Sequence, residues 1–127
     1  MWDKEIALHI LSQIDQSLTV ISERAQTIKT ANDFLYSNEG ITLLDSICMK
    51  LIAIGESTKS LDKITNKTLL ASYPEIPWKH VMGVRDIIVH HYFDVDAEEI
   101  FHITTQDIPV LQRTIRQMIS DISTVNI

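Results

Sequence analysis

The 127-residue sequence holds one cysteine, three glycines and three prolines. A single thiol, Cys48, has no internal disulfide partner, so a disulfide-stapled secreted scaffold is excluded. Set in an apolar stretch, Cys48 reads as a buried thiol of a cytoplasmic protein. The shortage of Gly and Pro leaves little room for long irregular loops. Apolar runs of about eighteen residues are missing, so no transmembrane helix is expected. A charged-then-apolar N-terminus is missing too, so no signal peptide is expected. Positive charge is in the minority: 11 Lys and Arg against 17 Asp and Glu give a net charge of −6. That balance argues against broad, nonspecific nucleic-acid binding but leaves room for a small basic site. Gly-rich phosphate loops, nucleophile elbows, Cys/His pairs and HExxH patterns do not occur, and no cofactor or metal is expected.

What is present is a long-period apolar pattern. Hydrophobic residues make up 45% of the chain, enough for the core of one domain over residues 1–127. Ala7, Leu11, Ile14, Leu18, Ile21, Ala25 and Ile28 alternate spacings of four and three, which predicts a helix over 3–28 capped by Asp3. Asn32 to Tyr36 reads as a short turn that tucks Phe34 and Leu35 under the other helices. Ser37 to Gly40 has loop chemistry. A second long helix is expected over 41–62, on a seam of Leu44, Cys48, Leu51 and Gly55. Gly55 in mid-helix costs about 1 kcal/mol relative to alanine, which points to the close approach of another backbone or a ligand. Residues 63–77 form a connection with a short helical piece near 68–72. Pro74 and Pro77 stop what precedes them and set the entry to a third helix over 78–91, with Trp78 anchoring its start. Gly83 there again permits close packing. Asp96 and Glu99 form a capping box for a short helix over 97–104. A last helix begins near Asp107 with Pro109 in its first turn, on the spacing Ile108, Leu111, Ile115, Met118 and Ile122. Strand-like alternation and internal repeats are absent. The expected fold is therefore all-α: an antiparallel four-helix bundle with short additional helices.

Residues 83–94, Gly-Val-Arg-Asp-Ile-Ile-Val-His-His-Tyr-Phe-Asp, concentrate the chemistry. On a helix Arg85 and Tyr92 fall almost on one face, and Asp86 is an i,i+4 neighbour of His90 within reach of its imidazole. Val84, Ile87 and Ile88 are placed to hold the segment on the core. A histidine titrates in the range needed to move protons, and arginine offers a planar fork of donors to phosphate oxygens. RNA carries its own nucleophile in the 2′-hydroxyl, so a proton acceptor, a proton donor and a cation suffice to cleave it without metal. One chain holds a single Arg85/His90 set; two copies across a symmetric dimer would supply an acid, a base and two arginines. The same residues also fit plainer roles. Arg85 could pair with Asp86 or Glu56, and His90 and His91 could cap the helix C-terminus. His90, His91, Asp94 and Asp96 make a weak metal set, since adjacent histidines rarely share one ion.

Arg85, four residues, His90, one residue and Tyr92 spell R-x4-H-x-Y, which resembles the signature of the HEPN superfamily, specifically its HepT-like toxin branch. The resemblance extends over nearly the whole chain. It takes in Ile54-Gly55-Glu56, the run Tyr73-Pro74-Glu75-Ile76-Pro77-Trp78, Gly83-Val84-Arg85-Asp86, His91-Tyr92-Phe93 and Ile108-Pro109-Val110-Leu111. It implies a homodimer whose motifs meet in a cleft and act as a metal-independent endoribonuclease. Carried over, His90 is the acid/base residue and Arg85 the phosphate-binding residue, with Asp86 and Glu56 in support. Asp86 stands where relatives often have asparagine; an acid there could orient His90 but adds negative charge near phosphate. The resemblance further implies a cognate antitoxin, a minimal nucleotidyltransferase of the MNT type, that transfers AMP to Tyr92. A noncatalytic module that binds nucleotide beside such a transferase is the alternative, and a purely structural bundle a third.

Overall fold

The computed structural model describes residues 2–91 and 93–124. Those residues are all-α, with no strand among them. Four long helices and one short one follow in order: α1 (Lys4–Arg24), α2 (Asn38–Ile64), α3 (Trp78–His90), α4 (Ala97–His102) and α5 (Ile108–Thr124). Helices α1 and α5 bury most of the stripe that their spacing predicts, although α1 ends at Arg24, short of the expected 28, and Ala25 is only half-buried. On α1 the buried stripe residues are Ala7, Leu11, Ile14, Leu18 and Ile21, and on α5 Ile108, Leu111, Ile115, Met118 and Ile122. Asp3 caps α1 by accepting the Glu5 and Ile6 N–H groups at 2.9 and 3.2 Å. Polar side chains tie α1 to α5: Gln112 donates to Asp15 and Thr19, and Arg116 pairs with Asp15 at 2.9 Å.

The start of α2 departs from expectation. Asn38, Glu39 and Gly40 form its first turn and not a loop, with Ser37 as the cap accepting the Gly40 N–H at 2.9 Å. Tertiary packing joins this local cap. A tight turn at Ala31–Phe34 lies directly on Gly40, where a Cβ would stand 2.2 Å from the Asp33 carbonyl oxygen. Asp33 locks that turn by accepting the Lys29 and Thr30 N–H groups, and these bonds hold its carboxyl below the usual range. Phe34 is fully buried as expected, but Leu35 is exposed. At its far end α2 stops without glycine, at Asn66 and Lys67, both with left-handed φ of 56° and 60°. Cys48 is buried in α2, and burial first, then the Asp45 charge, pushes its thiol up to about 11. Little thiolate exists near neutrality, so Cys48 is a packing residue.

Between α4 and α5 the backbone widens into a π turn at Ile103–Asp107 before Pro109, which has no N–H to offer and would clash in a regular turn. In that turn the buried Thr104 hydroxyl is, among the described residues, the one buried side-chain polar atom with no hydrogen-bond partner. No helix among the described residues is long and apolar enough to cross a membrane. The closely packed pairs of long helices are α1 with α2, α2 with α3, and α1 with α5.

Candidate active site

Glu56, Arg85 and Asp86 gather where α2 and α3 cross. Pro77 begins α3: its carbonyl accepts the His80 and Val81 N–H groups at 2.9 and 3.1 Å. Trp78 is buried and donates its indole N–H to the Tyr73 carbonyl at 2.9 Å, which fixes the helix entry. The connecting segment is pinned further by the Tyr73 hydroxyl, which donates to Asp121 on α5 at 2.6 Å. Burial and that bond push the Tyr73 phenol up to about 12. Gly55 on α2 then sets the depth of the crossing. A Cβ there would lie 3.3 Å from the Val81 carbonyl oxygen and 3.8 Å from the Arg85 Cβ, so the expected close backbone approach is found.

That approach brings Glu56, the next residue on α2, beside Arg85. Arg85 Nε lies 3.2 Å from Glu56 Oε1, and Arg85 Nη1 lies 3.2 Å from Asp86 Oδ1. Lys59 sits at the margin of the same cluster, 3.9 Å from Glu56. Both plain pairings open to Arg85 from the sequence are therefore made at once. All three side chains are about half-exposed, so the pairs are weak and exchangeable, worth roughly 0.2–1 kcal/mol each in such settings. Asp86 does not orient His90: its carboxylate is drawn to the arginine beside it.

His90 is the last residue of α3, and it is exposed. Among the described residues it has no hydrogen bond or ion pair from its side chain. His91 instead terminates the helix, its N–H bonded to the Ile88 carbonyl at 3.2 Å and its imidazole 3.8 Å from Asp94. Asp96 caps α4 by accepting the Glu98 and Glu99 N–H groups through Oδ1. Tyr92 lies outside the described residues. Five helical steps put Arg85 and His90 about 140° apart around α3. One copy therefore presents the arginine toward α2 and the histidine toward solvent, with no shared pocket between them.

Two corrections concern the outer face of α3. Ile87 does not join Val84 and Ile88 in the core but is exposed, as is Val89. Gly83 is not a packing glycine within the chain: nothing lies within 4 Å of where its Cβ would be. Gly83, Ile87 and His90 fall at i, i+4 and i+7, so an apolar strip with a gap in it runs alongside the histidine. Sequence reasoning missed this strip because an isoleucine at that spacing is compatible with either side of the core boundary.

Residues 14–118 match a family model described as Ribonuclease HepT-like. Among similar proteins, one from Methanocaldococcus jannaschii is named "Gamma-glutamylcyclotransferase and putative RNase MJ0434". It is 29% identical over 94% of this chain, but the chain spans only 50% of it. Another from that organism, "Putative RNase MJ0127", is 32% identical over 61% of this chain and 60% of its own length. The "Probable ribonuclease HepT" of Thermococcus cleftensis is 28% identical over 80% of this chain and 86% of its own. The chain thus spans half to three-fifths of the first two. No solved structure matches it.

Proposed function

Because the chain belongs to the HepT-like ribonuclease family of the HEPN kind, we propose that it is a metal-independent endoribonuclease whose site is completed by a second copy. The observation that carries this is the arrangement on α3: an exchangeable arginine and an exposed histidine, unengaged among the described residues, on one helix, pointing apart. In a symmetric pair the vacant strip at Gly83 and Ile87 would be covered, and each His90 would gain groups that its own chain does not aim at it. One His90 takes the proton of the 2′-hydroxyl as that oxygen attacks the adjacent phosphorus. The other gives a proton to the departing 5′-oxygen. The products are a 2′,3′-cyclic phosphate and a 5′-hydroxyl end. Arg85, leaving Glu56 and Asp86 for a stronger charge-assisted fork, neutralises the nonbridging oxygens.

In this reading the long helices form one antiparallel four-helix bundle. The protein acts in the cytoplasm as the toxin of a toxin–antitoxin pair. Its partner would be a nucleotidyltransferase that transfers AMP to Tyr92, two residues past His90. A bulky anionic group on that phenol would obstruct RNA and repel its phosphates. The noncatalytic nucleotide-binding reading draws on one specific observation, the two carboxylates already holding Arg85 in an acidic chain.

The test is RNA cleavage in excess EDTA by purified protein with Tyr92 shown unmodified by mass spectrometry, beside His90→Ala. Cleavage that His90→Ala abolishes is the expected result. Intact RNA with both proteins would overturn the nuclease reading in favour of the binding module, which calorimetric titration with mononucleotides would then measure.

A further inference from the structure

We propose that the groove between α3 and α5 is a docking site for a basic, amphipathic peptide segment of a partner protein. The helices leave this seam unfilled: α3 packs on α2 and α5 packs on α1, but α3 and α5 are not a closely packed pair. A half-open cavity of about 350 Å³ occupies the space, a volume within the range of ligand-binding sites. Three helices line it in the same way, each with an i,i+3 apolar pair: Leu51 and Ile54, Val81 and Val84, Ile108 and Leu111. All but Val81 are buried, so they form the apolar floor of the groove, with the exposed Val110 at its edge, a surface suited to the apolar anchors of an amphipathic segment.

The rim decides the occupant. Three titratable groups border the groove: Glu75, ahead of α3, Asp107, at the end of the π turn, and His80 on α3. Neither acid has an ion pair among the described residues, so both carboxylates are open to a cation from outside the chain. Two unpaired carboxylates beside an apolar slot in a chain of net charge −6 select an apolar anchor flanked by Lys or Arg. RNA phosphates would be repelled. A second copy on a two-fold axis would bring its own Glu75 and Asp107 to the same place, like charge against like. Arg85, Asp86 and His90 do not line the groove, so it is separate from the proposed nuclease site and does not depend on it.

Short randomised peptides displayed on phage and selected on the intact protein test this. The expected outcome is enrichment of sequences with apolar residues three or four apart and Lys or Arg beside them. Their binding should weaken as salt rises. Val110→Lys, at a groove position 41% exposed and so tolerant of a lysine, should cut the affinity of the selected peptides by roughly tenfold or more. Asp107→Asn, nearly isosteric, should cut it by roughly threefold, within the range of one exposed charge pair. Both variants should keep the helical circular dichroism and oligomeric state of the parent. No enrichment, enrichment without basic residues, or binding indifferent to both substitutions would overturn the proposal. So would a change of oligomeric state in Val110→Lys, which would give the groove to a second copy.

Discussion

Gly40→Ala and Gly83→Ala are chemically the same change in two helices, and the structure predicts opposite signs for them. Replacing a helical glycine by alanine gains about 1 kcal/mol of helix propensity, if the new methyl has room. At Gly83 it has room, since nothing lies within 4 Å; the monomer should gain close to the full amount. At Gly40 the methyl would stand 2.2 Å from the Asp33 carbonyl oxygen and 3.0 Å from that of Phe34. Relief needs a shift of about 1 Å to reach ordinary contact. The atoms that must move are backbone, in a turn held by two bonds to Asp33 and by the fully buried Phe34. Overpacking commonly costs about 1–3 kcal/mol, and the rigidity of this turn argues for the upper end. Set against the propensity gain, Gly40→Ala should lose about 2 kcal/mol, so the two variants should differ by about 3 kcal/mol. Urea unfolding at a fixed, low protein concentration measures this: with slopes of about 1–3 kcal/mol/M, the two midpoints separate by about 1 M or more. An unfolding midpoint for Gly40→Ala at or above the parent's would refute the packing of the 31–34 turn on α2. If α3 is also the dimer face, the gain at Gly83 should shrink as protein concentration rises, because the methyl then meets the second copy.

Thr104→Val removes a buried hydroxyl that has no partner while keeping its shape, and it should raise stability by about 1 kcal/mol in the same assay; a loss of that size would mean the hydroxyl is satisfied. Asp33 and Asp121 both have carboxyls held below the usual value of 3.8, the first by backbone N–H bonds, the second by the Tyr73 hydroxyl. A depressed folded-state value contributes stability above the unfolded value, and that stability is lost as pH falls through the folded one. Thermal midpoints should therefore drop below pH ~4, and less steeply in Asp33→Asn; an unchanged slope would remove Asp33 as a cause. Glu56→Gln frees Arg85 of one of its two carboxylates. In a His90→Ala background it should tighten RNA binding up to about fivefold by fluorescence anisotropy, the equivalent of one exposed pair. Weaker binding would instead make Glu56 a residue that positions the arginine.

The helices and much of the core were legible in the residue order because each apolar stripe repeats at the helical period, a property of single segments. Leu11, Ile14 and Leu18 on α1, and Leu111, Ile115 and Met118 on α5, are all buried where their spacing puts them. Asp3 and Asp96 cap the helices they precede, since a cap is satisfied within three residues. The motif on α3 was legible for the same reason: Arg85, Asp86 and His90 are near in sequence, so their order on one helix follows from helical geometry alone. Gly55 as a point of close approach could also be read, because a glycine in mid-helix is costly without one.

What depends on two segments meeting was decided by the tertiary structure. Position 40 must be glycine because a turn seven residues upstream lies on it, while the Ser37 cap is the local part of that helix start. Glu56 reaches Arg85 because α2 and α3 cross at Gly55. Ile87 is exposed and Gly83 open because α3 has a neighbour on only part of its circumference. The groove exists because α3 and α5 each settle on a different helix and leave the seam between them unfilled. By itself the sequence determined which residues are helical, which are apolar and which carry chemistry, because those follow from local periodicity and covalent order. The tertiary structure decided which charges meet, which apolar side chains stay bare and where space remains, because these depend on distances between segments that no single segment encodes.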